Sequence, residues 1–204
     1  DCGAMAPQSL KEAVKSNNAH AGIALDGDAD RIVLVDEKGK VVDGDQILGA
    51  LANAWLKTDE LNGGGIVTTV MSNLGLELYL NSKGLKLCRT HVGDRYVLEY
   101  MRQHGFNLGG EQSGHIILSD YASTGDGIIA ALQILSIALT EGKSISDVTC
   151  LFEPVPQLLR NIKVKDANNF NDTILKNISE TAEKQIGKMG RVLIRKSGTE
   201  EVIR

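Results

Sequence analysis

The sequence is poor in cysteine, and it has neither a long apolar segment nor a run of basic residues. The three cysteines, Cys2, Cys88 and Cys150, are odd in number and widely spaced. That spacing argues against a disulfide framework or a zinc site and favours reduced thiols in the cytoplasm. Without a signal peptide or an apolar span of about 18 residues, no membrane association is predicted. The net charge of -4 and the mixture of signs argue against a nucleic-acid partner.

The remaining composition is that of an ordinary globular chain, with 204 residues, 42% hydrophobic and 24% charged. This length is sufficient for one or two domains with buried cores. The chain begins at Asp1 rather than at a methionine, and its end, Val202-Ile203-Arg204, has the character of a strand. We therefore expect it to be a piece of a longer protein, and we leave its state as a monomer or a homodimer open.

Strand-like and helical segments alternate along most of the chain. Strands are predicted at residues 66–70 and 85–89, and the helices that follow them are closed by Gly84 and Gly105. This alternation predicts an α/β fold, in which mixed or mostly parallel sheets are covered by helices on both faces as three α/β/α layers.

A change in composition at Pro154 and Pro156 predicts a stiff connector and a domain boundary. Beyond it we predict a small, truncated α+β unit, with strands at residues 158–164 and 192–194 and a helix at 170–186. One face of that helix carries the apolar side chains expected to face a core, which are Ile174, Ile178, Ala182 and Ile186.

Three aspartates at alternate positions, Asp26, Asp28 and Asp30, follow an apolar segment at residues 22–25. In an extended backbone alternate side chains point the same way, so we expect the three carboxylates of this aspartate loop (residues 26–31) to converge. Anions this close repel one another unless a cation lies between them, and hard oxygen ligands suit Mg²⁺ or Ca²⁺. The pattern favours a metal site over a solvated acidic turn.

The aspartate spacing is compatible with more than one kind of metal chemistry. An EF-hand calcium loop is excluded, because its sixth position requires glycine where this chain has Arg31, and because residues 32–35 have the pattern of a buried strand. A phosphotransferase that uses Asp26 as its nucleophile remains open. Arg31 suits phosphate chemistry, since a guanidinium binds phosphate through two parallel hydrogen bonds, but an ion pair with its neighbouring aspartates is an equal alternative.

A second polar segment, the glycine loop (residues 109–115), lies between two predicted strands. The Glu111 carboxylate can accept hydrogen bonds from two adjacent hydroxyls, and Ser113 can donate or accept, which suits a sugar. Loops at the carboxyl ends of parallel strands are where such sheets bind ligands. The alternative is a tight polar turn, and we interpret His115 as a structural histidine.

Three further loops carry weaker signals. His91 and Arg95 flank the start of a helix, where exposed N–H groups attract anions, and Asp94 between them is the expected N-cap. Residues 123–127 are predicted to be an ordinary capped helix start. The last loop offers either a phosphate cradle or a common turn, with one arginine, two hydroxyls and a glycine: Arg195, Ser197, Gly198 and Thr199.

In their order along the chain, these loops resemble those of the α-D-phosphohexomutase superfamily, over nearly the whole sequence. Three longer motifs, VMSNLGLE at residues 70–77, VGDRYVLE at 92–99 and TGDG at 124–127, are similar to its bacterial amino-sugar branch. They are less similar to the phosphomannomutase/phosphoglucomutase branch.

The resemblance implies a four-domain enzyme that interconverts glucosamine 6-phosphate and glucosamine 1-phosphate for cell-wall precursors. A phosphoserine donates its phosphoryl group to the sugar, and glucose or glucosamine 1,6-bisphosphate is the activating intermediate. Residues 1–45 would end the metal-binding domain, 46–152 would form the sugar-binding domain, and 157–204 would belong to the phosphate-binding domain. The family's phosphoserine loop, with its Ser-His-Asn-Pro core, is absent from this sequence, so we expect the chain alone to be inactive.

The resemblance also implies a role for each candidate residue. Mg²⁺ would be bound by Asp26, Asp28 and Asp30, and Arg31 and His91 would be catalytic. The hexosamine phosphate would be bound by Glu111, Ser113, Arg95, Arg195, Ser197, Gly198 and Thr199. One departure is Glu201, where the family usually has proline, because an added negative charge there should weaken phosphate binding.

Two other functions stay open on the sequence alone. One is the Mg²⁺-dependent phosphotransferase with Asp26 as nucleophile. The other is a sugar-phosphate or divalent-cation binding module, which needs these loops but no nucleophile. A phosphorylated serine in upstream sequence would decide for the mutase.

Overall fold

A three-stranded antiparallel sheet carries the aspartate loop. The computed structural model describes residue 3 and residues 6–164, 171–187, 190–196 and 202–203. After helix α1 (Gln8–Ser16), the strands β1 (Ala21–Leu25), β2 (Ile32–Asp36) and β3 (Val41–Val42) pair in sequence order. Leu25 lies opposite Ile32, so the aspartate loop closes a hairpin. This sheet is antiparallel and not mostly parallel, because connections this short cannot join parallel strands.

The second sheet is mixed and has the strand order β5-β4-β6-β7. Strands β4 (Gly65–Thr69), β5 (Lys86–Thr90) and β6 (Leu108–Gly110) are parallel, and β7 (Ile116–Leu118) is antiparallel at one edge. The accompanying helices are α2 (Gly44–Thr58), α3 (Leu74–Ser82), α4 (Asp94–His104), α5 (Gly127–Glu141) and α6 (Ile145–Thr149), the last of which was not predicted. None of the helices in the described ranges is long and apolar enough to cross a membrane.

Helices cover both faces of this second sheet. Ile66 of β4 belongs to a large buried cluster that includes Leu51 of α2 and Ile134 of α5. Its neighbour Val67 belongs to a separate cluster that includes Met101 of α4. Because successive residues of a strand point to opposite faces, the two clusters lie on opposite sides of the sheet. The predicted three-layer α/β/α arrangement is therefore confirmed.

A buried carboxylate holds one of the loops at the carboxyl edge of the parallel strands. Asp45, in the first turn of α2, is 1% exposed, and its Oδ2 accepts a hydrogen bond from the Asn73 N–H at 2.7 Å. Its Oδ1 is buried and has no hydrogen-bond partner among the described groups. Burial raises the pKa of Asp45 to about 6. This carboxyl group thus joins α2 to the loop after β4. It stays protonated to a higher pH than it would in water.

We expect Asp45 to make the free energy of unfolding fall as the pH rises through about 6. Its folded pKa lies above the unfolded value of 3.8, so the folded chain binds the extra proton and is stabilised below that value. This stabilisation, about 3 kcal/mol in all, is lost between pH 3.8 and about 6, and about 2 kcal/mol of it is lost between pH 4.5 and pH 7.5. Asp45→Asn keeps an acceptor for Asn73 and should stabilise the protein at neutral pH. Urea denaturation of both proteins at about pH 4.5 and pH 7.5 measures this, and equal pH dependences would contradict it.

The chain divides into one unit at Asp1–Pro154 and another at Val155–Arg204. In the second unit, β8 (Ile162–Lys163) pairs antiparallel with β9 (Val202–Ile203). The strand predicted at residues 158–164 is therefore shorter than expected. The strand predicted at 192–194 is wrong, since the backbone pairing falls at Lys196, opposite Ile203.

The helix of the second unit, α7 (Asp172–Ile186), begins where predicted, within two residues. Its N-cap is Asn171, whose side chain accepts from the Ile174 N–H at 2.8 Å. The side chain that it buries is Leu175, at 4% exposed, whereas Ile174, Ile178 and Ile186 are 41–50% exposed. The apolar face predicted from the sequence is thus not the one covered by the described residues of this unit.

Candidate functional site

The three aspartates converge at the end of the β1–β2 hairpin. One carboxylate oxygen from each of Asp26, Asp28 and Asp30 lies within 4.8 Å of the others. The convergence arises from a turn and not from the extended backbone that we predicted. In this turn Ala29 has the left-handed conformation, with a φ of 61°. Such a conformation is uncommon for a residue with a side chain and concentrates at functional sites.

The carboxylates of this aspartate triad perturb one another. Burial raises the pKa of Asp30, and the neighbouring Asp26 carboxylate raises it further. Partial burial opposes ionisation of Asp26 as well, but the Arg31 N–H, 3.1 Å from Asp26 Oδ1, and the contact with Asp30 outweigh it and lower the pKa of Asp26. Asp30 Oδ1 is buried and accepts no hydrogen bond from any described group. A buried carboxylate oxygen without a donor, beside two like charges, fits a hard cation such as Mg²⁺.

The aspartate loop is supported by the start of α5. Asp126 caps this helix, because its Oδ1 accepts from the N–H groups of Ile128 and Ile129, both at 2.9 Å. The next residue, Gly127, donates its N–H to the Ala29 carbonyl at 2.9 Å. The predicted capped helix start is confirmed, and it has a second role, since it holds the left-handed residue of the aspartate loop.

Backbone hydrogen bonds join the glycine loop to the aspartate loop. Arg31 and His115 form an isolated antiparallel bridge, and the Ile32 N–H donates to the Gly114 carbonyl at 3.1 Å. On its other side the loop is held by α2, where the Gly44 N–H donates to the carbonyl of residue 112 at 3.0 Å. The two loops that we singled out from the sequence therefore lie side by side.

Glu111 and Ser113 of the glycine loop differ in how they are held. Glu111 Oε1 accepts a hydrogen bond from the Gly93 N–H at 3.1 Å, which links the loop to the start of α4. Ser113 is exposed. Glu111 is thus fixed through one oxygen, Oε1, whereas the Ser113 side chain is open to solvent.

The His115 side chain connects the triad to the start of α4, a role that the sequence did not reveal. Its ring is 3% exposed, and Nδ1 lies 3.0 Å from Asp30 Oδ2. Nε2 lies 3.9 Å from Asp94 Oδ2 and makes no hydrogen bond to the described residues. A Cβ at Gly125 would overlap the ring, so that glycine is needed for the close packing. His115 is buried, as predicted for a structural histidine, but its contact with Asp30 was not predicted; its position at the end of the glycine loop was the available signal.

The cationic candidates of the first unit lie near the surface. Arg31 is close to the triad, with its Nε 4.0 Å from Asp26 Oδ2. Arg95 donates from Nε to a glutamate one helical turn further along, at 2.8 Å. His91 is exposed, and its ring packs edge-on against Tyr96 with the ring centroids 5.7 Å apart.

Asp94 does not cap its helix. The N-cap position of α4 is occupied by Gly93, and Asp94 is the first helical residue. The predicted N-cap role is therefore wrong. The Asp94 side chain is 59% exposed and lies at the same edge as the glycine loop.

The candidate phosphate cradle belongs to the second unit. Arg195 is half-buried there. Ser197, Gly198, Thr199 and Glu201 lie outside the described residues. The roles assigned to them stay predictions.

The chain matches known proteins in family, sequence and fold. The family model "Phosphoglucomutase/phosphomannomutase, alpha/beta/alpha domain III" matches residues 43–155, and the corresponding "C-terminal domain" model matches residues 158–204. A phosphoglucosamine mutase of Brucella anthropi is 55% identical over 204 residues, which is 100% of this chain and 45% of that relative. The chain thus spans less than half the length of the curated relatives it matches.

Solved structures share the fold at lower identity. A phosphoglucomutase/phosphomannomutase family protein from Burkholderia thailandensis has a TM-score of 0.76 at 22% identity, over 98% of this chain and 44% of that one. The N-acetylphosphoglucosamine mutase of Aspergillus fumigatus, in complex with GlcNAc-6P and magnesium, has a TM-score of 0.72 at 21% identity, over 89% of this chain and 47% of that one. Because the domain III family model alone covers residues 43–155, more than half of the sequence, this chain belongs to the phosphoglucomutase/phosphomannomutase family.

Proposed function

We propose that the protein containing this chain is a cytoplasmic, Mg²⁺-dependent mutase that interconverts glucosamine 6-phosphate and glucosamine 1-phosphate. The observation that carries the proposal is the junction of the aspartate triad with the glycine loop, made by the 3.0 Å contact between Asp30 and His115. The name and the 55% identity of the Brucella anthropi relative support the amino sugar as substrate. Asp26 as nucleophile is less well supported, because relatives at 52–55% identity are named phosphoglucosamine mutases.

In this proposal Asp26, Asp28 and Asp30 hold Mg²⁺. The unpartnered, buried Asp30 Oδ1 and the all-oxygen donor set fit that ion. When bound, Mg²⁺ would neutralise negative charge on the phosphoryl group in transfer. Arg31, beside the triad, would bind the same phosphoryl group through its guanidinium.

The other residues would position the sugar phosphate. Glu111 and Ser113 would bind sugar hydroxyls, and His91 and Arg95 would lie near the reacting end. The distal phosphate would be bound by Arg195, Ser197, Gly198 and Thr199. Glucose or glucosamine 1,6-bisphosphate would be the activating intermediate, and residues 1–45, 46–152 and 157–204 would belong to the metal-binding, sugar-binding and phosphate-binding domains.

Phosphorus NMR of glucosamine 6-phosphate with Mg²⁺ and catalytic glucose 1,6-bisphosphate tests the proposal. We expect the full-length protein that contains this chain to produce the 1-phosphate resonance. We expect the 204-residue chain alone to produce none, because the phosphoserine loop is absent from its sequence.

Removal of Mg²⁺ with EDTA from the full-length protein is the control and should stop the conversion. No conversion by the full-length protein would contradict the proposed function. Turnover by the 204-residue chain alone would require a nucleophile within it, with Asp26 the first to be replaced.

A further inference from the structure

The first turn of α2 contacts two loops at the carboxyl edge of the parallel strands. The Gly44 N–H donates to the carbonyl of residue 112 in the glycine loop at 3.0 Å, and a Cβ at Gly44 would overlap the backbone of that loop. The Asp45 side chain accepts the Asn73 N–H through Oδ2 at 2.7 Å. Asn73 belongs to the segment that follows β4, here called the β4 loop (residues 70–73). Two successive residues of one helical turn thus hold the glycine loop and the β4 loop.

The β4 loop leaves the sheet between the two segments that carry candidate sugar ligands. Strand β4 lies between β5 and β6 and is parallel to both, so its loop emerges between His91 and Glu111, which follow those strands. The Gly93 N–H donates to Glu111 Oε1 at 3.1 Å and so joins the two outer segments past the end of β4. The Val70 N–H donates to the Thr90 carbonyl at 2.9 Å. The position of the β4 loop therefore affects where His91 and Glu111 lie.

The Asp45 carboxylate is directed at the β4 loop and not at its own helix. The N-cap of α2 is Asp43, whose side chain accepts the Gln46 N–H at 3.0 Å. Burial raises the pKa of Asp45, whereas the hydrogen bonds from the Asn73 N–H and the Ser72 side chain lower it. Both of these loop residues are buried, Ser72 at 0% and Asn73 at 6% exposed. Without the carboxylate, a buried N–H would lose this acceptor, which is costly.

Arg89 of β5 supports the β4 loop from the other side. Its Nη1 donates to the Ser72 carbonyl at 2.9 Å, and its Nη2 donates to Glu77 Oε2 at 2.8 Å. The guanidinium is thus fixed between the β4 loop and α3. Because this support is independent of α2, the loop stays attached when the contact with Asp45 is lost, and we expect its position to change rather than the fold.

We propose that Asp45 is a positioning residue of the sugar-phosphate site: it fixes the β4 loop, and through it His91 and Glu111, without contacting the substrate. At 1% exposed, Asp45 is covered by the protein and cannot bind a sugar itself. This assignment rests on the proposed function and adds to it a residue that acts through others. The group required at position 45 is an oxygen that accepts the Asn73 N–H, and asparagine also supplies one.

Isothermal titration of the full-length protein with glucosamine 6-phosphate, in the presence of Mg²⁺ at neutral pH, tests the assignment. In Asp45→Ala the Asn73 N–H loses its acceptor, so the correctly placed β4 loop is populated less. We therefore expect the dissociation constant to rise about tenfold. In Asp45→Asn we expect the wild-type value, because the acceptor is kept. The affinity for Mg²⁺ should be the same in all three proteins, since the aspartate triad is unchanged.

Leu51→Ala is the matched control for a loss of stability. Leu51 lies in the same helix and is fully buried in the large apolar cluster, so its truncation destabilises the fold away from the loops. A merely structural defect lowers the fraction of protein that can bind, which the titration shows as a lower stoichiometry, and leaves the dissociation constant of the folded fraction unchanged. We expect that result for Leu51→Ala.

A second variant replaces Asp45→Ala if that protein does not fold. Ser72→Ala removes the side-chain hydrogen bond to Asp45 and leaves the carboxylate in place. We expect its dissociation constant for glucosamine 6-phosphate to rise about threefold. An unchanged value would then overturn the assignment.

The assignment would also be overturned by a wild-type dissociation constant in folded Asp45→Ala. The same conclusion follows if Asp45→Asn or Leu51→Ala weakens binding as much as Asp45→Ala does. All of these results leave the mutase proposal intact. Failure of the wild type to bind or convert glucosamine 6-phosphate would instead contradict the proposed function itself.

Discussion

Asp28→Asn in the full-length protein is expected to weaken Mg²⁺ binding at least about tenfold. Loss of a group that only supports a ligand typically lowers the metal affinity 10- to 100-fold. Loss of a direct carboxylate ligand should lower the affinity at least as much. Asp28 is the suitable member of the triad to replace, because it is exposed and forms no hydrogen bond with other described residues. Asp26 accepts a backbone N–H, and Asp30 contacts His115, so replacing either would also disturb the loops.

Isothermal titration of the wild type and Asp28→Asn with Mg²⁺ measures the effect directly. Asp59→Asn is the matched control, because it also removes one carboxylate but lies far from the triad in sequence. It should bind Mg²⁺ like the wild type. If Asp28→Asn binds Mg²⁺ as tightly as the wild type does, Asp28 is not a ligand of the metal. In that case the mutase activity should also survive the substitution.

Gly114→Ala is expected to reduce the free energy of unfolding by about 3 kcal/mol and to abolish sugar binding. Gly114 has a φ of 95°, which an alanine adopts only with strain. In addition, a Cβ there would overlap the carbonyl oxygen of Ile32, the first residue of β2. Since that oxygen belongs to the rigid strand, the glycine loop would have to move away from the aspartate loop.

Gly142→Ala separates the effect of backbone strain from the effect of the overlap with Ile32. Gly142 closes α5 with a φ of 61°, but a Cβ there meets no atom within 4 Å. It should therefore cost only the conformational strain, about 1 kcal/mol. Urea denaturation of both variants gives the comparison. Equal losses of stability would show that the contact between Gly114 and Ile32 does not matter.

Much of the secondary structure could be predicted because its signals are local. The closing glycines, Gly84 and Gly105, and the cap at Asp126 each depend on residues within a few positions. The strand that was wrongly predicted lies in the second unit, where the apolar run at residues 192–194 did not form one. A strand needs a pairing partner that can be distant in sequence, and the local pattern of apolar residues contains no information about that partner.

In the candidate site, too, local patterns identified the residues but did not give their arrangement in space. Asp26, Asp28 and Asp30 were recognised from their spacing, yet the reason given, an extended backbone, was wrong, since a turn around Ala29 brings them together. Asp94 was mistaken for a cap because its position before a helix suggests one. Which group caps a helix depends on the backbone conformation of the preceding residue, here Gly93.

The sequence by itself determined most strands and helices of the first unit, the aspartate triad and the polar glycine loop, because each is encoded within a short stretch of chain. Only the tertiary structure decided that the two loops lie side by side. Asp30 and His115 are 85 positions apart, and Asp45 and Asn73 are 28 apart. Such contacts arise when the sheets and helices pack together. The same packing buries His115 Nε2 and Asp30 Oδ1, which have no partners among the described residues. No local pattern of residues specifies that packing.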